Sequence, residues 1–222
     1  MIAKLIVFDW RATIAWNKFA YLFYPFFVFI VGFATSQMLV IPMSLWIALS
    51  YSTNPFFAEE KGELNNLLLT LPIKRSQIVT ARYVYSLFLM LVGIIVGIAI
   101  MPIVRHFSRS QWFIGVEGHI AVIAVSVLVF AIFNLFMFPA LFKLGYQKGK
   151  IWGIYMPAMV FGALYMAFYI YMMVSERNVI MDSIRFASDN MLLVSGGMGT
   201  LAVMILLLSY MLSLRLYSRR NF

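Results

Sequence analysis

Six apolar runs divide this chain, at residues 19–35, 38–57, 78–104, 119–142, 151–174 and 191–216. A helix needs about 20 residues to cross a hydrocarbon core of about 30 Å, so each run is close to one crossing. The first is short and the third long. Local thinning or flanking anchors accommodate the one, tilt or a cytoplasmic extension the other. Ser36 and Gln37 alone separate the first two runs, which predicts a tight helical hairpin. With 64% hydrophobic and 11% charged residues, against roughly 25% charged in a soluble domain, a water-covered surface of normal size cannot be built. The predicted fold class is an all-α integral membrane protein, one transmembrane domain over 1–222 with six transmembrane helices. A secretory signal peptide is not expected, because no small-residue cleavage site follows the first run and five further runs come after it.

The net charge of +9 would suit a nucleic-acid binder only if Lys and Arg lined one exposed face. They sit in short clusters between apolar runs, so no nucleic-acid partner is expected and membrane topology explains the charge. With the N-terminus in the cytoplasm, 13 of the 17 Lys and Arg fall inside, Arg82 among them, and 4 fall outside. Asp and Glu divide evenly, so the bias is carried by the basic residues. Both termini are predicted to be cytoplasmic. Cysteine is absent, which removes disulfides and thiolate metal sites.

Residues 1–17 precede the first run. Lys4, Arg11 and Lys18 recur every seven residues and form one helical stripe, with Leu5, Ile6, Trp10, Ile14 and Trp16 elsewhere. This predicts an interfacial amphipathic helix whose basic side chains reach headgroups and whose tryptophans sit in the interface. It reads as an anchor for the first span, or as an anchor that also touches a cytoplasmic partner.

The long cytoplasmic loop, 58–76, carries the densest pattern. Leu64, Leu67, Leu68 and Leu71 fall at i, i+3, i+4 and i+7, one face of a short helix, with Glu63, Asn65, Asn66 and Thr70 elsewhere. Gly62 allows a break before it, Pro72 ends it, and Ser76 suits the N-cap of the third span. The apolar stripe packs either on the protein's own helix ends or in a groove of a soluble partner.

Glu59, Glu60, Gly62, Glu63, Leu67, Leu68, Leu71, Pro72, Ile73, the basic pair Lys74 and Arg75, and Ile78 together resemble the loop between the second and third spans of type-2 ABC export permeases. The likeness is close over 59–83, and the six-span layout extends it loosely over the chain. Among these the chain is similar to the small permeases of phenol-soluble modulin and bacteriocin exporters. The resemblance implies that 62–72 is a coupling helix between helices 2 and 3, seated in a cleft of a soluble ABC ATPase subunit, with Glu59 and Glu60 at its approach. It implies a second, smaller contact at 143–150, through Lys143, Tyr146, Lys148 and Lys150, and a connecting role for 1–17. It also implies a bacterial plasma-membrane location and a partner permease, either a second copy or a relative, because six helices make half of the usual path.

No nucleotide site is present to contradict that division of labour. The nearest approach to a P-loop, from Gly145 to Lys150, lacks one spacer residue and is followed by Ile151 where a Ser or Thr is required. ATP and magnesium are therefore expected on the partner ATPase, with no cofactor, metal or catalytic residue on this chain. His106 and His119 read as interfacial side chains. Asn134 is the clearest polar residue deep in a span and suits an interhelical hydrogen bond. Gly93 with Gly97, and Ala158 with Gly162, allow close helix packing within the chain or across a dimer. Phe23 and Phe27 in the first span, with Met159 and Met166 in the fifth, read as lipid-facing or, with Asn134, as a forgiving path for amphipathic cargo. The expected function is export of a hydrophobic or amphipathic substrate, with a membrane-active peptide favoured. A lipophilic-drug exporter and a non-transporting immunity or sensor protein are the alternatives, whereas an intramembrane enzyme lacks a polar catalytic cluster.

Overall fold

The computed structural model describes residues 2–16, 18–34, 37–61, 74–107, 116–174 and 188–219. Among these every regular element is helical. Helix α1 (Ile2–Trp16) precedes α2 (Lys18–Ala34), and a 3-10 turn (Gln37–Leu39) leads into α3 (Val40–Ser52). Then come α4 (Asn54–Lys61), α5 (Arg75–Phe107), α6 (Val116–Leu144) and α7 (Tyr146–Lys150). A π-helical turn (Ile151–Tyr155) introduces α8 (Met156–Val174), and α9 (Met191–Ser218) ends the described chain. Three helices, α5, α6 and α9, are long and apolar enough to cross a membrane, with mean hydropathies of 2.9, 2.7 and 2.2 over their best windows. Residues Phe23–Ala34 of α2 form a shorter apolar helix.

Two local readings are corrected. The second apolar run is not one helix: it breaks between α3 and α4 at Thr53. Pro55 has no N–H to continue the ladder, and the Ser52 and Thr53 hydroxyls donate to the Leu49 and Ser50 carbonyls at 2.6 and 2.7 Å. Helix α5 begins at Arg75, so Ser76 is inside it and not its cap. Gln77 does the capping, accepting the Lys74 N–H through Oε1 at 3.3 Å.

Small residues set the closest approaches. Gly93 and Gly97 of α5 face α3, where a Cβ at Gly97 would lie 3.2 Å from Ile41 Cα and one at Gly93 would lie 3.3 Å from Ala48 Cβ. That glycine pair is therefore used inside the chain. A tighter seam joins α7 and the π-helical turn to the end of α6: Cβ atoms at Gly149 and Gly153 would lie 2.8 Å from Leu141 Cα and 2.7 Å from Met137 Cα. Gly162 has no such neighbour within 4 Å.

A buried polar seam binds α5, α6 and α9. Asn134 on α6 is fully buried. Its Nδ2 donates to the Phe130 carbonyl at 2.9 Å, its Oδ1 accepts from Ser86 Oγ at 3.3 Å, and its carbonyl accepts from Ser209 Oγ at 2.9 Å. The Tyr83 hydroxyl pairs with Ser209 and Ser213 at 2.6 and 2.8 Å. In an apolar surround each such bond also removes the penalty of an unsatisfied polar group, so the three helices are held in one register.

Gly153→Ala is expected to push α8's leading turn away from α6 and to cost about 1–3 kcal/mol, the range for overpacking a tight contact. Gly162→Ala, where the added methyl meets nothing within 4 Å among the described residues, is expected to be stabilising by about 0.5–1 kcal/mol, the gain in helix propensity. Thermal unfolding of the two purified variants in detergent compares them directly.

Candidate functional site at the basic end of the bundle

The side chain that organises the site is one counted above as an ordinary interior-side cation. Arg82, one-and-a-half to two turns into α5, is only 3% exposed. Its Nε meets Asp9 Oδ2 at 3.1 Å and its Nη2 meets Glu59 Oε2 at 2.9 Å. The guanidinium lies over the Phe56 ring, 4.3 Å from the centroid, and Nη1 is buried without a hydrogen bond. Asp9 comes from α1 and Glu59 from α4. One buried cation thus ties the N-terminal helix, the approach to the 62–72 segment and the start of a membrane-spanning helix into one unit. Trp10 adds edge-on ring contacts to Tyr85 and Phe88 of α5, at 6.5 and 5.9 Å.

Helix α1 therefore docks through a mixed face, with Ile6 and Trp10 packed on the cluster of Ala48, Tyr85 and Leu89 beside the Asp9 ion pair. Asp9 and Thr13 are buried, whereas Val7 and Phe8 are exposed. Burial pushes the Asp9 carboxyl above its ordinary value of 3.8; the Arg82 charge opposes that rise and the Glu59 charge adds to it. The folded chain accordingly binds this proton at a pH where the unfolded chain has lost it. The group favours the folded state below 3.8, and that stabilisation fades as pH rises through the raised value.

Glu60 makes the second link. Its Oε2 accepts the backbone N–H groups of Tyr146 and Gln147 at 2.7 and 3.3 Å, a side chain from one loop capping the first turn of a helix in another. Gly145, at φ 79°, supplies the left-handed backbone that reverses the chain after α6. The Phe57 and Tyr146 rings meet edge-on at 5.2 Å, and Lys150 Nζ lies 5.7 Å from the Tyr146 centroid. Beneath them Phe56, Phe142 and Tyr217 stack edge to face, with Phe56 and Phe142 at 4.9 Å and Phe142 and Tyr217 at 5.1 Å. A notch of about 290 Å³ opens between the two loops, lined by Glu59, Glu60, Gly145, Tyr146, Gln147 and Lys148 above that aromatic floor.

The residues predicted as first and second contacts thus converge where they are described. Glu59 and Glu60 stand at the end of α4, beside Tyr146 and Lys148 of α7, with exposed Lys143 at the end of α6. Gly62, Glu63, Leu64, Asn65, Asn66, Leu67, Leu68, Leu71 and Pro72 lie outside the described residues. The suggested path residues are not gathered in one lumen of this chain. Phe23 and Phe27 are exposed on α2, Met159 and Met166 on α8, and Asn134, buried and hydrogen-bonded in the seam, borders a cavity between α5 and α9. Arg82 and Asp9 were missed as site residues. The available signal was an arginine inside the third apolar run, which calls for a named partner, and a lone acid in an otherwise basic and apolar helix.

The family described as ABC-2 family transporter protein matches residues 4–218. The chain belongs to that family. No match was found among curated proteins or solved structures. Membership makes this ABC-2 chain the membrane component of an ABC transporter, which works with an ABC ATPase subunit.

Arg82→Met leaves the buried Asp9 and the half-buried Glu59 without their cation and is expected to cost about 3 kcal/mol, the low end of the range for breaking a buried pair, read as a lowered Tm. Asp9→Asn keeps Glu59 on Arg82 and is expected to cost about 1–3 kcal/mol. It should also flatten the acid-side pH dependence of Tm.

Proposed function

We propose that this ABC-2 permease is half of an exporter in the bacterial plasma membrane, with both termini and the basic end of the bundle in the cytoplasm. In this reading 62–72 is a coupling helix that seats in a groove of a separate ATPase, which binds ATP and magnesium. The observation that carries the reading is the Glu60 cap on α7, at 2.7 and 3.3 Å. It joins the approach to the proposed coupling helix with the second cytoplasmic loop, so that a partner meets one continuous face. The leucine stripe Leu64, Leu67, Leu68 and Leu71 supplies the apolar peg for that partner.

Dimerisation completes the proposal. In the apolar window of α9 only 11% of residues are buried within the chain, against 39% for α6. A Cβ added at Gly196, Gly197 or Gly199 would meet nothing within 4 Å among the described residues, and Met159 and Met166 of α8 are 71% and 57% exposed. This unspent apolar surface suits a second permease and lipid, and the thioethers and aromatics suit amphipathic cargo such as a membrane-active peptide.

The test is affinity purification from native membranes in mild detergent with an ATPase assay. A soluble P-loop ATPase should co-purify, and Leu67→Asp with Leu68→Asp should abolish its recovery while the permease remains folded. Turnover should rise when the peptide cargo is added. Recovery of the permease alone, with no effect of the double change, would overturn the exporter reading and favour a sensor or immunity role.

A further inference from the structure

Two cavities between α5 and α9, one at the basic end and one farther along the helices, make up a groove whose chemistry changes along its length. At its mouth lies a cavity of about 480 Å³ that includes Arg75, Arg215, Met211 and Leu214. Arg75 is fixed there by Nη1 bonds to the Ser218 and Tyr217 carbonyls, at 3.0 and 3.5 Å. Both arginines are exposed. Deeper along the groove, the Thr80 hydroxyl and the Tyr210 hydroxyl meet at 2.9 Å. Both residues also border a second cavity, of about 290 Å³, which Val84, Leu87, Val203, Leu206 and Leu207 line on its apolar side and Tyr83, Ser86 and Asn134 at its inner wall.

The two helices run in opposite directions, and their registers match. Thr80 is five residues from Arg75, and Tyr210 five from Arg215. At 1.5 Å per residue the hydroxyl pair lies about 7.5 Å below the arginines. Leu87 and Val203 are each twelve residues from the same arginines, about 18 Å down. Half of a hydrocarbon core is about 15 Å, so the groove is one leaflet deep. With the two arginines at headgroup level, the hydroxyls would fall at the level of ester linkages and the second cavity at the level of acyl chains.

We propose that this groove is a binding site for one anionic phospholipid, its phosphate on Arg75 and Arg215 and one acyl chain in the pocket beside Leu207. Basic pockets between transmembrane helices take such headgroups, and the paired guanidiniums match a phosphate better than a zwitterion, whose own cation they repel. The site adjoins the notch at Tyr217 but uses none of its acids or lysines, and the proposal does not depend on what the transporter carries.

Native mass spectrometry of the detergent-purified full chain tests it, with phosphatidylglycerol and phosphatidylcholine titrated in parallel. Phosphatidylglycerol should be retained in preference. Arg75→Gln with Arg215→Gln should weaken its retention about tenfold or more, from roughly 1 kcal/mol per basic residue. Lys143→Gln with Lys148→Gln removes as much charge elsewhere on the basic end and should change retention little. Leu207→Trp fills the pocket without altering charge and should also weaken retention, which keeps the test decisive if the arginine variant folds poorly. Inorganic phosphate should not compete. Equal retention of the two lipids, an arginine variant no worse than the lysine control, full retention in Leu207→Trp, or displacement by inorganic phosphate would each overturn the proposal.

Discussion

A guanidinium that is 3% exposed and held between two carboxylates constrains more of this molecule than any other contact. Removing three charged groups from water costs several kcal/mol each, and mutual attraction offsets that only when the geometry is tight. Such a cluster is a weak source of net stability and a strong constraint on arrangement. Arg82 cannot be buried unless α1 and α4 both deliver their acids, so two segments about fifty residues apart in sequence must assemble on α5 together. The Phe56 ring beneath the guanidinium shields the cluster and also leads into the aromatic stack with Phe142 and Tyr217. The charge cluster and the apolar core at this end are one construction.

From that construction the order of the rest follows. With Glu59 committed to Arg82, its neighbour Glu60 accepts the N–H groups at the start of α7. Helix α7 can lie so close because Gly149 and Gly153 let it and the following π-helical turn rest on the backbone of α6. Helix α6 in turn is locked to α5 and α9 by Asn134, Ser86, Tyr83 and Ser209. Backbone contacts, ionic contacts and membrane-embedded hydrogen bonds each do the part that their surroundings favour. The ion pairs of Arg82 sit toward the basic end, and the amide and hydroxyl bonds of Asn134 and Ser86 lie farther along the helices, where a charge would be costly.

The all-helical class was legible because a membrane imposes a crude length rule, and among the described residues three of the six apolar runs, the third, fourth and sixth, form helices long and apolar enough to cross a membrane. The family was legible in Glu59, Gly62, Leu71, Pro72 and their neighbours, and the match over 4–218 agrees. Long-range partnership was not legible. A positive-inside count treats Arg82 as one more basic residue, and nothing local states that Asp9, seventy-three positions earlier, is its counter-ion. The break at Thr53 was hidden for a related reason. Pro55 alone reads equally as a kink or a helix start, and the Ser52 and Thr53 bonds to nearby carbonyls decide between them.

The distribution of packing also bears on how work could pass through the chain. Under the proposed docking, a push delivered at 62–72 arrives at α4, which is tied to α1 and α5 through Arg82 and to α7 through Glu60. Helices α5, α6 and the inner half of α9 share the polar seam, so they accept the push as a block. The described side chains of α8 beyond Met159 are mostly exposed, and the glycines near the start of α9 meet no neighbour. Those segments carry few internal bonds that must break if they are displaced. Among the described residues the ionic and glycine-backed contacts gather at the basic end, whereas exposed apolar side chains run along α8 and α9; under the proposed docking the first group would receive the movement and the second would be the readier to rearrange.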